Sequence, residues 1–410
     1  MELRGRLGAL AERNFRLVFT STTISALGDG VTTIALAFAV LQISNSPTAL
    51  GIVIAARQAS AAAITVAAGV WADRLPRHLV LVAASIAQGA VQAVAGILVV
   101  TGHASVWSLA VLALVFGLAD GFVIPTSQGL IPAIVSTVRL QQANALLGLS
   151  RSILGVLGPA LGGVLVAAGS PGSALLVDAA SFGVGAILML RVTMTRADHV
   201  EPAPFFAELR AGWAEFRRQT WIWTTIVFFG IGNCVSTSLF VLGPLIAKHD
   251  YSGASTWAIV ISAFSGGTIL GGLAALRYRP RRPLLASCLA AVPLVLQPFG
   301  WAFHAPVWLL VTIGIVAGFG LAIHLALWFT VFQRHVPEVA RSRVSSYDAL
   351  GSFVLMPLGS AVAGPVASLV GVTATLTGTG LIEIACFAAV IAQPSVWAIH
   401  ADPVAEPALA

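Results

Sequence analysis

Twelve apolar runs, each about 20 residues long, use up most of this 410-residue chain. A run of that length spans a ~30 Å hydrocarbon core as a helix rising ~1.5 Å per residue. Charge is correspondingly scarce: 9% of the residues are charged, 58% are hydrophobic, and the mean hydropathy is +0.93. A soluble chain carries roughly a quarter charged residues to cover its surface, so most of this surface must face lipid. Hydrocarbon offers a backbone N–H or C=O no partner, and only a helix satisfies all its own groups within one segment. The expected fold is therefore an all-α membrane protein. Its spans fall at 15–41, 49–72, 79–101, 105–128, 142–168, 173–191, 222–247, 256–276, 284–303, 306–333, 345–369 and 372–395.

Arginine sets the expected orientation. With the N-terminus placed in the cytoplasm, 19 of the 22 Lys and Arg fall on that side, leaving Lys248 outside and Arg57 and Arg151 within spans. The positive-inside rule asks for this bias, and an even span count returns the C-terminus to the cytoplasm. The expected organisation is a six-helix bundle at 1–191, a cytoplasmic linker at 192–221, a second six-helix bundle at 222–395 and an irregular cytoplasmic tail at 396–410. Within the linker, 205–218 alternates apolar and charged residues at helical spacing, as an interfacial amphipathic helix would. An internal repeat agrees with two halves: QGLIP at 128–132 matches QRHVP at 333–337, and Gly158-Pro159 recurs as Gly364-Pro365. Tandem six-helix halves characterise one large transporter class.

Other function classes lose ground on composition. The net charge of +6 sits in short arginine clusters between apolar runs rather than on one face, which argues against nucleic acid. Cys234, Cys288 and Cys386 all lie inside apolar runs and read as small buried hydrophobes, not as a disulfide or metal framework. A Walker phosphate loop needs Gly-Lys-Ser/Thr, and the single lysine, Lys248, precedes His249. No catalytic residues, metal or cofactor are expected. The first run is too long for a cleavable signal. With 21 arginines to one lysine, the Ala-, Gly- and Val-rich composition suggests GC-rich coding. The expected location is thus a bacterial inner membrane.

Two strings carry specific chemistry. Gly69-Val-Trp-Ala-Asp73-Arg74-Leu-Pro-Arg77 lies in the tight connection between spans two and three. Its carboxylate can cap a helix N-terminus or pair with arginine, a latch that breaks when helices move; a merely topogenic loop would need the arginines alone. In span five, Gly155, Gly158, Pro159, Gly162 and Gly163 place small residues where two helices can touch backbone to backbone, which is also what generic packing would use. The first string resembles the major facilitator superfamily signature Gly-x-x-x-Asp-Arg-x-x-Arg. The equivalent place after span eight keeps Gly272 and the arginines but has Leu276 for the aspartate. The second string resembles the drug:proton antiporter branch. Together with Arg13-Asn-Phe-Arg16, Gly28-Asp29-Gly30, Asp178-Ala-Ala-Ser-Phe182 and Met356-Pro-Leu-Gly359, it is similar to the group of enterobactin exporters and macrolide efflux proteins.

Intramembrane charges are the remaining clue, because each costs a few kcal/mol and persists only with a partner or a task. Asp29 in span one and Arg57 in span two lie at similar depth and are expected to pair. The pair serves either proton and substrate coupling or fixed packing. Asp120 in span four and Arg151 in span five are expected as a second, gating or structural pair. Asp178 and Glu383 are candidate buried carboxylates, and Asp348 a charge at the start of span eleven. Asn233, Gln297 and His324 are candidates to line a path. Trp71, Trp107, Trp221, Trp223, Trp257 and Trp397 read as interfacial anchors.

The resemblance implies a monomeric secondary transporter in which inward proton movement drives export of a small amphipathic molecule by alternating access. A lipid or lysolipid flippase on the same scaffold is the nearest alternative, and a non-transporting sensor or membrane enzyme a more distant one. Epitope tags at positions 75 and 103 should be reachable from opposite sides of the membrane in sided labelling; access to both from one side would break the span assignment.

Overall fold

The computed structural model describes residues 8–72, 76–193, 217–336, 344, 347–348 and 350–400. Among these, twelve helices are long and apolar enough to cross a membrane. They are α1 Arg13–Ile43, α2 Pro47–Ala72, α3 Arg77–Val100, α4 Val106–Ile134, α5 Leu140–Ala168 and α6 Pro171–Leu190. Then follow α7 Thr220–Asp250, α8 Ala254–Ala275, α9 Pro283–Ala302, α10 Val307–His335, α11 Leu350–Val370 and α12 Val372–Ile391. Each contains the core of one expected span. A short further helix, α13 Pro394–Ala398, begins at the end of the last expected span and runs into the first residues of the expected tail. It is tied down by Val396, which is fully buried, and by Trp397 Nε1 donating to Ile391 O at 2.6 Å.

Helix ends follow from local chemistry. Ser105 and Ser170 each cap the next helix by accepting from the backbone N–H three residues on, at 3.1 Å in both cases. Pro47, Pro171 and Pro283 each stand at the first helical position, where a missing N–H is harmless. α11 and α12 are joined by Gly371 alone, whose φ of +90° suits a residue without Cβ. Two spans are interrupted. α9 tightens into a 3₁₀ turn at Val292–Val295 around Pro293, and α11 breaks into a turn at 354–355 just before Pro357. In both, the proline removes one helical bond and crowds the carbonyl four residues earlier.

The described residues fall into two compact units. The first takes in those of Met1–Glu201, Phe240–Ser262 and Pro357–Gly371, the second those of Pro202–Leu239, Ala263–Met356 and Val372–Ala410. In the first, Phe15, Leu81, Leu130 and Met189 anchor an apolar cluster near the N-terminal end of α1. There Glu12 ties the start of the chain to the α4–α5 connection, lying 3.6 Å from Arg139 and accepting from Ser136 N and Oγ at 3.1 and 2.7 Å. In the second, Trp221, Ile222, Leu284 and Trp328 centre the equivalent cluster. Trp221 and Trp257, expected as interfacial anchors, are instead buried, at 8% and 1% exposure. Gly243 gives the Trp257 indole its place, since a Cβ there would meet the ring.

α3 shows what lipid does to a helix. Gln88 and Gln92 are buried, whereas Ile86 and Ile97 are more than half exposed. The polar face turns inward because only protein can satisfy amides in hydrocarbon.

Close packing rests on small residues. In the first unit, a Cβ on Gly30 of α1 would stand 2.6 Å from Gly158 Cα of α5, and one on Gly162 would stand 2.9 Å from Val31 O. Gly163 packs on Ala258 and Gly364 on Thr48. The span-five glycines therefore bring backbones together, as their spacing suggested. Gly158→Leu should push α1 and α5 apart at a cost of about 1–3 kcal/mol or more. The expected outcome is a lower thermal midpoint in detergent, with Gly148→Leu, which meets nothing within 4 Å, as the silent control. Equal midpoints for the two variants would contradict this packing.

Candidate functional site

The first unit carries a charged cluster built from α1, α2 and α4. On α1, Asp29 stands between two close helix contacts: Gly28 lies against Asp178 and Ser181 of α6, and Gly30 against Gly158 of α5. With both flanks taken, the Asp29 carboxylate is left to the side where α2 runs. Arg57 of α2 places Nη2 3.8 Å from Asp29 Oδ1 and 4.0 Å from Asp120 Oδ2. Its guanidinium also lies 4.2 Å from the centroid of the Phe116 ring, one turn before Asp120 on α4. A cation over a ring face gains quadrupole attraction and is held in orientation. α2 and α4 approach closely here because Gly117 accepts the Arg57 carbonyl and Ser60 hydroxyl against its backbone.

Asp120 thus joins Arg57 rather than Arg151, correcting the expected second pair. Arg151 is exposed on α5 and has no carboxylate within ion-pair distance among the described residues. Counting residues from the span ends put Asp120 at the depth of Arg151, but depth does not decide which way a side chain turns around its helix. Gln88 Nε2 approaches Asp120 Oδ1 at 3.4 Å. Arg57 and Asp120, with Thr32, Thr33 and Gln58, line a cavity of about 270 Å³ in this unit.

Asp178 makes a separate, closed arrangement. It is fully buried and receives Thr32 Oγ1 at 2.6 Å, Gln92 Nε2 at 2.6 Å and Ser181 Oγ at 3.2 Å. Gln92 Nε2 also donates to Thr32 Oγ1 at 2.8 Å. Three donors from three helices, α1, α3 and α6, satisfy this carboxylate as a structural knot. Sequence reasoning missed Gln88 and Gln92, although two amides four residues apart in an apolar run share one helix face.

In the second unit, Asn233, His324 and Glu383 line one cavity of about 290 Å³, joined by Asp348 and several aromatic rings. Gln297 does not line it; α9 carries that amide half-buried elsewhere, while Leu294 faces the cavity. Asp348, expected only as a charge at a helix start, accepts Trp328 Nε1 at 3.2 Å and Ser352 Oγ at 3.4 Å.

Of the loop motif, Gly69 lies in the last turns of α2 and Arg77 is the first residue of α3. Asp73 and Arg74 lie outside the described residues, as do residues 205–216 of the expected interfacial helix.

Known proteins share this architecture. The nucleoside transporter NupG superposes with a TM-score of 0.72 at 15% identity, covering 92% of this chain and 98% of NupG. A bacterial homologue of the iron transporter ferroportin, in an inward-facing state, gives 0.68 at 18% identity, covering 92% and 98%. In sequence, the chain is 26% identical to the multidrug efflux pump Tap of Mycobacterium tuberculosis over 381 residues, covering 89% of this chain and 90% of Tap. It is 28% identical to the enterobactin exporter EntS of Citrobacter koseri over 390 residues, covering 90% and 89%. The Major Facilitator Superfamily model matches residues 18–347, four-fifths of the chain. With twelve membrane-crossing helices behind that match, this multi-pass membrane protein belongs to the Major Facilitator Superfamily.

Proposed function

We propose that the protein is a proton-coupled exporter of small amphipathic molecules in a bacterial inner membrane, working as a monomer by alternating access with both termini in the cytoplasm. The observation that carries this reading is one guanidinium shared by two carboxylates inside the first unit. With Asp29, Arg57 and Asp120 all ionised, the cluster holds one surplus negative charge in a region where uncompensated charge is expensive. A single proton makes it neutral. Proton arrival at Asp29 ends that residue's claim on Arg57, and Asp120 is already within reach as the alternative partner. The Arg57 side chain then shifts toward α4, and with it the contacts that α1 and α2 make. That is the local change an alternating-access cycle needs from its coupling ion.

Export rather than uptake is supported by the likeness to two efflux proteins, Tap and EntS, over nearly the whole chain. The driving force suffices: one proton moving down 100 mV releases ~2.3 kcal/mol, before any pH gradient is added. The two six-helix halves at 1–191 and 222–395, joined by the 192–221 linker, would move about the substrate, and the loop around Asp73, Arg74 and Arg77 would latch them on the cytoplasmic side.

Cells making the protein should accumulate less of at least one dye or antibiotic in a broad amphipathic panel, and a protonophore should erase the difference. Asp29→Asn should insert normally yet lose uphill export by about tenfold or more, the size expected when an ~1.4 kcal/mol charge-dependent term is removed. Unimpaired uphill export by that variant would remove Asp29 from the coupling mechanism.

A further inference from the structure

The cavity of the second unit has a chemistry of its own. It lies among α7, α9, α10, α11 and α12, encloses about 290 Å³ and is lined by six Phe and Trp side chains. That volume is near the lower end for small-molecule sites, which run from ~300 to ~1,000 Å³. Phe229 stacks on the His324 imidazole at 4.5 Å between centroids, and Phe387 meets Phe229 edge-on at 5.5 Å. The rings form a stiff wall.

Its charge is set by carboxylates. Among the described residues, no lysine or arginine lines the cavity, whereas two carboxylates, Asp348 and Glu383, do. Both Asp348 oxygens already have donors, from Trp328 and Ser352. Asn233 Nδ2 donates to Ser352 O at 3.0 Å, and the amide keeps a second N–H and its Oδ1 acceptor. His324 Nδ1 lies 2.9 Å from Ser287 Oγ and 3.1 Å from the Ser287 carbonyl, so that side of the ring is held by Ser287. Glu383 is the sharpest case. It is 4% exposed, Ser236 Oγ donates to its Oε1, and its Oε2 is buried with no partner among the described residues.

A buried carboxylate oxygen without a donor among the described residues, set beside a second carboxylate and aromatic faces, calls for a ligand that brings both N–H and positive charge. We propose that the second-unit cavity is a binding subsite for a cationic aromatic amine, with Glu383 Oε2 receiving its N–H and Phe229, Phe387 and Trp328 walling its ring system. Anionic molecules are disfavoured, since they would face two carboxylates. The biological use of this subsite rests on the export reading, which it deepens by naming a substrate class; its occupancy is a property of the resting protein.

A matched pair of fluorescent probes tests it. At mildly alkaline pH 9-aminoacridine is cationic with N–H donors, while acridine is flat, similar in size and neutral. Purified full-length protein in detergent should bind 9-aminoacridine at least about tenfold more tightly than acridine, the difference one charge-assisted hydrogen bond supports. Glu383→Gln should remove that preference by weakening 9-aminoacridine alone. Equal binding of the two probes by the wild-type protein, or an unchanged preference in the variant, overturns the proposal. Should the variant fail to fold, carbodiimide labelling of wild-type Glu383, read by mass spectrometry, replaces it. 9-aminoacridine should protect that carboxyl and acridine should not; equal labelling with either probe overturns the subsite. Export absent in cells while charge-selective binding holds would sink the export reading alone, and active export without charge selectivity would sink the subsite alone.

Discussion

Helices in lipid gain nothing from hiding leucines against one another, because acyl chains are as apolar as the side chains they replace. Their association depends on how closely backbones approach. This protein meets that constraint with glycine. In the first unit, Gly30 and Gly158 bring α1 and α5 into backbone contact, and in the second Gly267 and Gly271 of α8 lie against Ile315 and Phe319 of α10. The polar chemistry depends on these approaches. Asp29 faces α2 because Gly28 and Gly30 have given its two flanks to α6 and α5. Arg57 and Asp120 come within 4.0 Å because Gly117 lets α4 close on the Arg57 turn. A methyl group at any of these glycines would separate side chains that lie far from it in sequence.

The buried carboxylates can be ordered by how fully the protein answers them. An ionised carboxylate has about four acceptor positions. Asp178 receives three neutral donors and exchanges nothing, so it behaves as a joint among α1, α3 and α6. Asp29 and Asp120 share a single guanidinium at 3.8 and 4.0 Å, contacts longer than a direct charged hydrogen bond. Among the described residues, Glu383 has one serine. Satisfaction and responsiveness run in opposite directions: a fully bonded carboxylate resists a proton or a ligand, and an under-bonded one invites it.

This ordering explains which parts of the molecule were legible in the sequence. Spans were legible because length and hydropathy act locally. The Asp29–Arg57 proximity could be read because two opposite charges in adjacent antiparallel spans stood at equal depth, each too costly to leave alone. Asp120 was assigned the wrong partner for want of its rotational angle about α4, which residue counting does not provide. The second-unit cavity was half legible. Asn233, His324 and Glu383 stand out as polar residues in apolar runs, but Gln297 looks the same and turns elsewhere. The aromatic walls come from several helices whose ring positions no periodicity fixes.

Charge counting constrains how the two sites could work together. If the exported molecule is neutral, a single proton moving inward carries the whole membrane potential with it. A monovalent cation leaving as one proton enters moves no net charge, so the potential drops out and only the pH difference drives export. Recovering the potential requires a second proton per cation. The protein holds under-bonded carboxylates in both units, the Asp29–Asp120 cluster in the first and Glu383 in the second, each with one negative charge that a proton can neutralise. A cation on Glu383 and a proton on Glu383 exclude each other by occupying the same oxygen, whereas the first-unit cluster remains free to take its own proton. Two carboxylate sites, only one of them contested by the substrate, are therefore sufficient for export of a cation to draw on both components of the proton gradient.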